Sequence, residues 1–342
     1  MNKNYTQRIE KLKKRRLDEN LNKANLSESF SKSDISESIK YALESMAEID
    51  SDYTKNTYLA SEKISSNLTN GLSKKGISVE FRHQGSIETN THIKIHSDID
   101  ILVFTKKYTS KEPPLTPTNP YDGDPLADLK QLRQDSFDVL NAIYNQVDNS
   151  NAKAIEVYPT NPKRKVDVVT SNWLDTYLYE TTGSEVFRGV RVYNKELHSR
   201  KDDFPFMHIK RVNDKDMLVN GGLRRLTRLL KTLKVDADYE IKLSSFEIVS
   251  SVFAMSNVSL TKPSTQYLLL LSEGSQHLNK LITDKNYREN LLSPNEKELV
   301  FGENESKVVE LKKLKLELDE LIQDIIEELS KKYKNINDSL IY

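Results

Sequence analysis

The sequence predicts an α+β protein, in which helices lead into a strand-rich region and an all-helical region follows. Apolar residues recur near helical spacing from Tyr53 to Leu72, which predicts an early helix. Short runs rich in β-branched and aromatic residues predict strands at 77–81, 97–104, 152–157 and 164–170. From Asn220 onward the apolar spacing is helical again, so we expect the second region to consist of helices.

Length and composition narrow the classes of protein to consider. The chain has 342 residues, enough for two domains or lobes with a sizeable core. Lysine plus arginine and aspartate plus glutamate both total 51, so a phosphate or nucleic-acid site must be a local patch. Cysteine is absent, which excludes disulfides, thiolate zinc sites and a cysteine nucleophile. With no apolar run of membrane-span length and a charged start, we expect a cytoplasmic protein without zinc or membrane contact.

Turn and capping signals mark where several elements begin and end. The run Asp34-Ile-Ser-Glu37 has the pattern of a capping box and predicts a helix from there toward Glu48. Five of the ten prolines fall within Pro113–Pro125, which predicts an exposed loop before a helix over 126–147. A Pro-Thr-Asn-Pro turn at 159–162 joins two predicted strands and indicates a hairpin.

The second region divides into several helices. Their predicted ranges are 223–235, 244–256, 264–281 and 305–333. The last of them carries a stripe of apolar residues at alternating steps of three and four, namely Leu311, Leu314, Leu318, Leu321 and Ile325. Such a stripe is typical of a short coiled-coil seam or of a terminal helix that packs onto its own domain, and the sequence leaves both open.

Two carboxylates flank an isoleucine in the strand predicted at 97–104. Residues two apart in a strand project from one face about 7 Å apart, so Asp98 and Asp100 point together while Ile99 and Ile101 point into the core. Neighbouring carboxylates repel each other unless cations neutralise them, and hard oxygen ligands suit Mg²⁺ or Mn²⁺. Asp167, between two valines on another predicted strand, can supply a third ligand. Three such carboxylates can hold two metal ions.

A glycine-serine turn precedes this pair. Gln84-Gly85-Ser86 follows the strand at 77–81, and Ser86 lies twelve residues before Asp98. Glycine lets the backbone approach a phosphate, and a serine hydroxyl with the backbone N–H groups of a following helix start can hold the phosphate oxygens. An Asp-x-Asp pair or a Gly-Ser turn alone is not specific, so the combination carries the prediction.

The combination resembles the signature of the DNA polymerase β nucleotidyltransferase superfamily. In detail the chain is similar to its cyclic GMP-AMP synthase-like and oligoadenylate synthetase-like branch, whose bacterial members are called CD-NTases. The resemblance covers roughly residues 53–254, and the blocks that carry it are Gln84-Gly-Ser86, Asp98-Ile-Asp100, Lys165-Val-Asp-Val168, Gly222-Leu-Arg-Arg-Leu-Thr-Arg-Leu-Leu-Lys231 and Leu243-Ser-Ser-Phe-Glu247. The first three blocks belong to the whole superfamily, and the last two narrow it.

The resemblance implies a fold and a division of the chain. We expect a polymerase β-like nucleotidyltransferase core, a mixed sheet with helices, followed by a C-terminal helical lobe, with a nucleotide cleft between the two. The expected domains are 1–205, the core with its N-terminal helices, and 206–342, the helical lobe that completes the cleft.

The block at Gly222–Lys231 predicts a helix with two faces. Its leucines form one apolar stripe, while Arg224, Arg228 and Lys231 lie on the opposite face. A triphosphate carries about four negative charges, more than carboxylate-bound metal ions alone neutralise, so a nucleotide-joining site needs Lys or Arg over its β- and γ-phosphates. The resemblance assigns that contact to Lys231, with Ser245 as a further phosphate or sugar contact. Arg228 is either a nucleotide contact or a structural partner of an acidic residue, and we expect Glu247 to be structural.

The function implied by the resemblance is synthesis of a cyclic di- or oligonucleotide second messenger from nucleoside triphosphates, with ATP, GTP or both as substrates. Asp98, Asp100 and Asp167 are then the catalytic residues and the ligands of two Mg²⁺ or Mn²⁺ ions, while Gln84, Gly85 and Ser86 bind the donor nucleotide. In bacteria the resemblance implies antiphage signalling, the CBASS type, through a separate effector that the product activates. The sequence leaves open whether a regulatory protein or nucleic acid is also needed.

The sequence supports other functions and other sites less well. Linear oligonucleotide synthesis, or transfer of one nucleotide to an RNA end or a small molecule, uses the same acidic triad, but the last two blocks argue against tailing and drug modification. A non-catalytic nucleotide- or RNA-binding scaffold has no physical reason to keep three costly neighbouring carboxylates. His92 and His96 can share a face, but no third zinc ligand is evident, and His83 beside the turn is expected to be a surface residue.

Overall fold

The computed structural model describes residues 3–16, 35–93 and 99–340, without the side chains of Tyr53 and of residues 332–340. The α-helices in these ranges are α1 (Tyr5–Arg16), α2 (Glu37–Met46), α3 (Ser51–Ser73), α4 (Pro125–Asn141), α5 (Tyr177–Thr182), α6 (Pro205–Leu218), α7 (Gly222–Asp236), α8 (Ser245–Phe253), α9 (Asn257–Leu260), α10 (Leu269–Thr283), α11 (Lys285–Glu289) and α12 (Ser306–Leu340). The strands are β1 (Val79–Gln84), β2 (Ile99–Thr105), β3 (Ser110–Lys111), β4 (Val147–Asp148), β5 (Ala154–Val157), β6 (Val166–Asp175), β7 (Gly189–Asn194) and β8 (Ser199–Asp203). Among the described helices, none combines the length and apolar character that crossing a membrane requires.

Contacts between Cα atoms divide the chain into two compact units. The sheet unit contains the described residues of 50–89 and 96–211, and the helical unit contains those of 1–49, 90–95 and 212–342. This grouping differs from the predicted division at residue 205, because α1 and α2 join the C-terminal helices. Tyr5, Leu12, Tyr41 and Met46 are buried in one apolar core with the leucines of α7 and α12.

The sheet unit is built on one mixed sheet. Its main strand order is β1-β2-β6-β5-β4, in which β2 and β6 run parallel and the other neighbours run antiparallel. The long strand β6 also pairs with β3 and β7 along its second half, and β8 pairs with β7. The mixed sheet with helices and the hairpin between β5 and β6 are therefore as predicted.

Alternation along the strands separates two cores on the two faces of this sheet. On one face, the isoleucines and valines of β2, β5 and β6 pack with α3 and α4, which contribute Ile64, Leu68, Leu129 and Leu140. On the other face lies a smaller cluster, in which Phe104 stacks on Trp173 with ring centroids 4.0 Å apart. The second face is apolar only in part, and its remaining residues include the polar ones described below.

The helical unit has its own apolar core. The predicted leucine stripe of α7 is fully buried there, and so are the five stripe residues of α12, none more than 6% exposed. Helix α12 packs on α10, α7 and α2 of the same chain. In this structure the stripe is thus the packing face of a terminal helix.

Local chemistry explains several element boundaries, and some elements differ from the predictions. Helix α4 begins at Pro125 because the side chain of Asp124 caps the backbone N–H groups of the next two residues, Leu126 and Ala127. It ends at Asn141, before the predicted 147, which belongs to β4. Strands β7 and β8 and helix α6 were not predicted, whereas the capping residue proposed at Asp34 lies outside the described residues.

Candidate active site

A row of polar side chains crosses four strands at the end of the sheet where β2 and β6 begin. Gln84 pairs with Asp100, Asp100 with Asp167, and Asp167 with Glu156. Residues in register on neighbouring strands project from the same face, and neighbouring strands lie about 4.8 Å apart. The two predicted carboxylates Asp100 and Asp167 therefore stand side by side, both half-buried. Ile101 on the opposite face is fully buried, as predicted.

One lysine serves two of the three carboxylates in this row. The Nζ atom of Lys165 lies 3.1 Å from Oδ1 of Asp167 and 3.1 Å from Oε2 of Glu156. The hydroxyl of Tyr158 also donates to Glu156, at 2.7 Å. The pKa of Glu156 is lowered, first by this hydrogen bond and then by Lys165, against the opposing effect of burial. The Lys165 ammonium group therefore bridges two of the three carboxylates in the row.

The glycine of the predicted turn lies directly against this row. Gly85 has a φ of +92°, and a Cβ added there would lie 2.5 Å from Oδ2 of Asp100. Only glycine allows the backbone to take this conformation and this approach without displacing the carboxylate. Residues Ser86–Asn90 form turns, so the helix start predicted after Ser86 is wrong. The hydroxyl of Thr89 donates to the carbonyl of Ser86 at 3.3 Å and closes this turn.

The donor set of the row fits a hard divalent cation. Asp100 and Asp167 supply carboxylate oxygens from adjacent strands, which is the ligand chemistry that Mg²⁺ and Mn²⁺ prefer. Gly85 leaves open the space beside Oδ2 of Asp100 that a larger residue would fill. Across 3–16, 35–93 and 99–340, no three His, Asp or Glu side chains form a group that could hold a metal. Asp98, the third predicted ligand, lies outside these ranges.

The sequence did not indicate Glu156, Lys165 or Tyr158 as neighbours of Asp167. Lys165 belongs to the Lys165–Val168 motif and Glu156 to a predicted strand, and neither pattern places the two side chains together. The register of the β5–β6 hairpin places Glu156 opposite Asp167, and the turn that joins the strands determines that register. The alternation of residues along one strand does not show which residue of the neighbouring strand lies opposite.

The histidine beside the turn belongs to the other face of the sheet. His83 pairs with Ile101, one position away from the Gln84–Asp100 pair, so its side chain points away from the polar row. Its Nε2 is 2.9 Å from the hydroxyl of Ser61, and the ring of Tyr58 packs edge-on against it. Burial lowers the pKa of His83. His92 is buried in the helical unit, and His96 lies outside the described residues.

The cations predicted on the outer face of α7 are buried. Arg228 is 4% exposed and donates from Nε to the carbonyl of Met46 at 2.8 Å and from Nη1 to that of Asn90 at 2.7 Å. Lys231 is 6% exposed and donates to the carbonyl of Thr91 at 2.8 Å. The prediction of one apolar and one free cationic face is therefore wrong for these two residues. They bind backbone carbonyls at the end of α2 and in the segment that follows the turn.

The two serines at the start of α8 differ in their contacts. Ser244 is the N-cap, and with Glu247 it forms a capping box in which each side chain binds the other residue's backbone N–H. Glu247 also pairs with Lys307 at 2.7 Å, so its predicted structural role is confirmed. Ser245, the predicted nucleotide contact, is the first residue of the helix and is exposed.

Comparisons with known proteins identify relatives that span most of the chain. A c-di-GMP synthase from Flavobacteriaceae sp. genome_bin_11 is 31% identical over 314 residues, which cover 83% of this chain and 84% of that protein. The cyclic dinucleotide synthase CdnE of Yersinia aleksiciae is 32% identical over 302 residues, covering 85% of this chain and 78% of that one. No protein-family model matches the chain.

A solved structure agrees with these sequence matches. It is that of a STING-associated CdnE c-di-GMP synthase from Flavobacteriaceae sp., with a TM-score of 0.81 and 29% identity. The match covers 96% of this chain and 100% of that chain. The fold and the sequence of the present chain are thus similar to those of the same group of enzymes.

Proposed function

Since the chain belongs to the family of bacterial cyclic dinucleotide synthases, the CD-NTases, and is a nucleotidyltransferase that makes a cyclic nucleotide, we propose that Asp98, Asp100 and Asp167 form its catalytic centre. The observation that carries the proposal is the in-register pair of Asp100 and Asp167, with Gly85 directly against Asp100. Two half-buried carboxylates side by side are costly unless a bound cation compensates them. Asp98 joins them because it lies two residues from Asp100.

In this proposal the three carboxylates bind two Mg²⁺ or Mn²⁺ ions. When bound, the ions supply Lewis acidity that favours deprotonation of a ribose hydroxyl and neutralises charge on the triphosphate. Asp100 and Asp167 are held on adjacent strands, so their oxygens need no large rearrangement to act together. Glu156, which accepts a hydrogen bond from Tyr158, holds Lys165 beside Asp167, and Lys165 orients that carboxylate.

The remaining residues of the proposal bind nucleotide. Gln84, Gly85 and Ser86 contact the donor, because the glycine turn exposes backbone beside the carboxylates. Lys231 and Ser245 contact its phosphates, as the family resemblance implies. For Arg228 the contacts support a structural role instead, since its guanidinium already binds two carbonyl oxygens.

The proposed reaction forms a cyclic dinucleotide in two transfers. In each transfer, a ribose hydroxyl attacks an α-phosphate and a new P–O bond forms. The bond between the α-phosphate and the β-phosphate breaks, and pyrophosphate leaves. We propose GTP as the substrate and cyclic di-GMP as the product, because the similar protein and structure from Flavobacteriaceae are both named c-di-GMP synthases. The product then activates a separate effector in bacterial antiphage signalling of the CBASS type.

Product analysis tests the proposal directly. Purified protein is incubated with labelled ATP, GTP, CTP and UTP, together and singly, with Mg²⁺ or Mn²⁺, followed by phosphatase treatment and mass spectrometry. We expect a phosphatase-resistant dinucleotide from GTP alone, accompanied by two pyrophosphates per product. An Asp98→Ala, Asp100→Ala double variant should form none.

A matched control separates catalysis from general charge loss. Asp202 lies on the edge strand β8, is exposed and pairs with Arg191 at 2.8 Å, so an Asp202→Asn variant should retain activity. Product from ATP but not GTP would overturn the base assignment and leave the catalytic centre standing. A linear product would overturn cyclisation. Full activity in the double variant would overturn the catalytic centre itself.

A further inference from the structure

The helical unit contains a pocket, and no residue of the polar row lines it. Its volume is about 570 Å³, which is within the range of small-molecule sites. The end of α2, the end of α6, the start of α7 and Tyr267 form its walls. Three of its lining residues are arginines of the Gly222–Lys231 block, namely Arg224, Arg225 and Arg228. The proposed reaction uses none of these three.

Within the part of the chain that the structure describes, two of these arginines form no ion pair with a carboxylate. Arg224 pairs with Asp216 at 3.1 Å, so its charge is compensated. Arg225 donates to the carbonyl of Asn220 at 3.1 Å and lies over the ring of Tyr267, 4.1 Å from its centroid. Among the described residues, neither Arg225 nor Arg228 has a carboxylate oxygen within ion-pair distance. Carbonyl groups and an aromatic ring bind these cations without neutralising them.

Arg228 is the costlier of the two because it is buried. The pKa of its guanidinium is lowered to about 10, first by burial; Glu48 opposes this, and the like charges of Arg225 and Arg16 add to it. Glu48 and Asp216 act on this cation without forming an ion pair with it, and an anion that enters the pocket would lower the remaining cost of its burial. Guanidinium groups also present paired N–H donors that suit phosphate and carboxylate oxygens.

We propose that this pocket binds a small anionic ligand, whose phosphate or carboxylate group contacts Arg225 and Arg228 and whose ring packs against Leu43, Met46 and Tyr267. Leu43, Met46 and Tyr267 give the pocket an apolar wall that a ring can contact and a bare anion cannot, while Glu48 and Asp216 also line the pocket. A nucleoside monophosphate has both required parts and serves as the probe for this class.

The ligand would also act on the segment that follows the glycine turn. Arg228 holds the carbonyl of Asn90, and Glu48, which also lines the pocket, accepts a hydrogen bond from the Asn90 side chain at 2.9 Å. Asn90 lies four residues after Ser86 and eight before Asp98 in the sequence. An anion that fixes the Arg228 guanidinium therefore fixes the backbone at Asn90, which makes the pocket a regulatory site.

Calorimetry without metal tests the site independently of turnover. Protein in EDTA is titrated with AMP, with inorganic phosphate and with adenosine, for the wild type, Arg225→Gln and the control Arg191→Gln. Arg191 is a partly exposed arginine of β7 that pairs with Asp202, far from α7 in sequence. We expect saturable AMP binding that weakens at least tenfold in Arg225→Gln and is unchanged in the control, with phosphate weaker than AMP and adenosine weaker still.

Hydrogen exchange supplies the second readout. AMP should slow exchange of the amides of 90–93 in the wild type and not in Arg225→Gln. Equal AMP affinity in wild type and Arg225→Gln would overturn the site, and so would the absence of saturable binding. Adenosine binding as tight as AMP would overturn the role of the arginines. Binding at Arg225 without slower exchange at 90–93 would overturn the regulatory link.

Discussion

The carboxylates of β2 and β6 and the cations of α7 are both charged groups on largely apolar elements, yet they are compensated in different ways. Asp100 and Asp167 are half-buried in a row of three carboxylates, two of which, Asp167 and Glu156, pair with Lys165. Arg228 and Lys231 are almost fully buried and donate to carbonyl oxygens of the chain itself. We propose that the first pair binds cations, while the second pair already donates to the chain's own backbone.

This difference separates the expected effects of mutation. Removing a carboxylate that binds a metal ion during the reaction should abolish activity. It should leave the free energy of unfolding unchanged or raised, because the repulsion between neighbouring carboxylates disappears. Removing a group that binds the chain's own backbone should lower the free energy of unfolding, because buried carbonyls lose their donors. Five substitutions test whether the residues divide in this manner.

Asp100→Asn should have the largest effect. The substitution keeps the size of the side chain and removes the charge, so product formation should fall about 1000-fold, about 4 kcal/mol of transition-state stabilisation. The melting temperature should stay the same or rise. Steady-state product formation and thermal unfolding measure the two, with Asp202→Asn as the control. A fall in melting temperature that matches the loss of activity would place Asp100 with the structural groups.

Gly85→Ala should have the next largest effect. An added Cβ would lie 2.5 Å from Oδ2 of Asp100, so the carboxylate must move, and a displacement of about 1 Å costs on the order of 100-fold in rate. Gly76→Ala is the matched control, because Gly76 also has a positive φ, +72°, but no atom within 4 Å of an added Cβ. Both variants should lose similar stability, about 1 kcal/mol, from the strained backbone alone. Equal kinetics in the two would show that the approach to Asp100 does not matter.

Strand patterns predicted the sheet edge better than the helix pattern predicted α7, for a physical reason. In a strand, alternation determines the face on which each side chain lies, so Asp100 and Ile101 could be assigned to opposite faces from the sequence. In α7 the helical period correctly predicted the buried leucine stripe. It could not show that α2 and residues 90–93 bury Arg228 and Lys231 as well, because burial depends on segments distant in sequence.

The unpredicted elements had weak or ambiguous patterns. Strand β8 has the sequence Ser-Arg-Lys-Asp-Asp, in which no apolar residue alternates with a polar one, and among the described strands it pairs with β7 alone. Its pairing comes from the neighbouring strand and not from its own side chains. The Glu156–Lys165 pair likewise depends on hairpin register, which a single sequence does not contain.

Arg228→Met should affect stability more than activity. It removes both donors to the carbonyls of Met46 and Asn90 and should cost about 2 kcal/mol in the free energy of unfolding. Arg191→Met, at a partly exposed surface pair, should change it by less than about 0.5 kcal/mol. Urea unfolding of both variants measures the difference. A stable Arg228→Met protein with strongly impaired nucleotide binding would instead support the nucleotide contact considered from the sequence.

The smallest expected effects distinguish two adjacent serines of α8. Ser244→Ala removes the N-cap and should lower the free energy of unfolding by about 1 kcal/mol, with little change in KM. Ser245→Ala leaves the capping box intact, so stability should hold while the KM for GTP rises about two- to tenfold, the value of one hydrogen bond of about 0.5–1.5 kcal/mol.

Because the two serines are neighbours on one helix start, each substitution is the control for the other. Urea unfolding and steady-state kinetics on both proteins give four values, and the prediction requires the larger stability change at Ser244 and the larger KM change at Ser245. The reverse pattern would mean that the exposed serine serves the fold and the cap serves the ligand. In that case the burial of a group and its contacts with the chain's own backbone would not separate structural from ligand-binding residues in this protein.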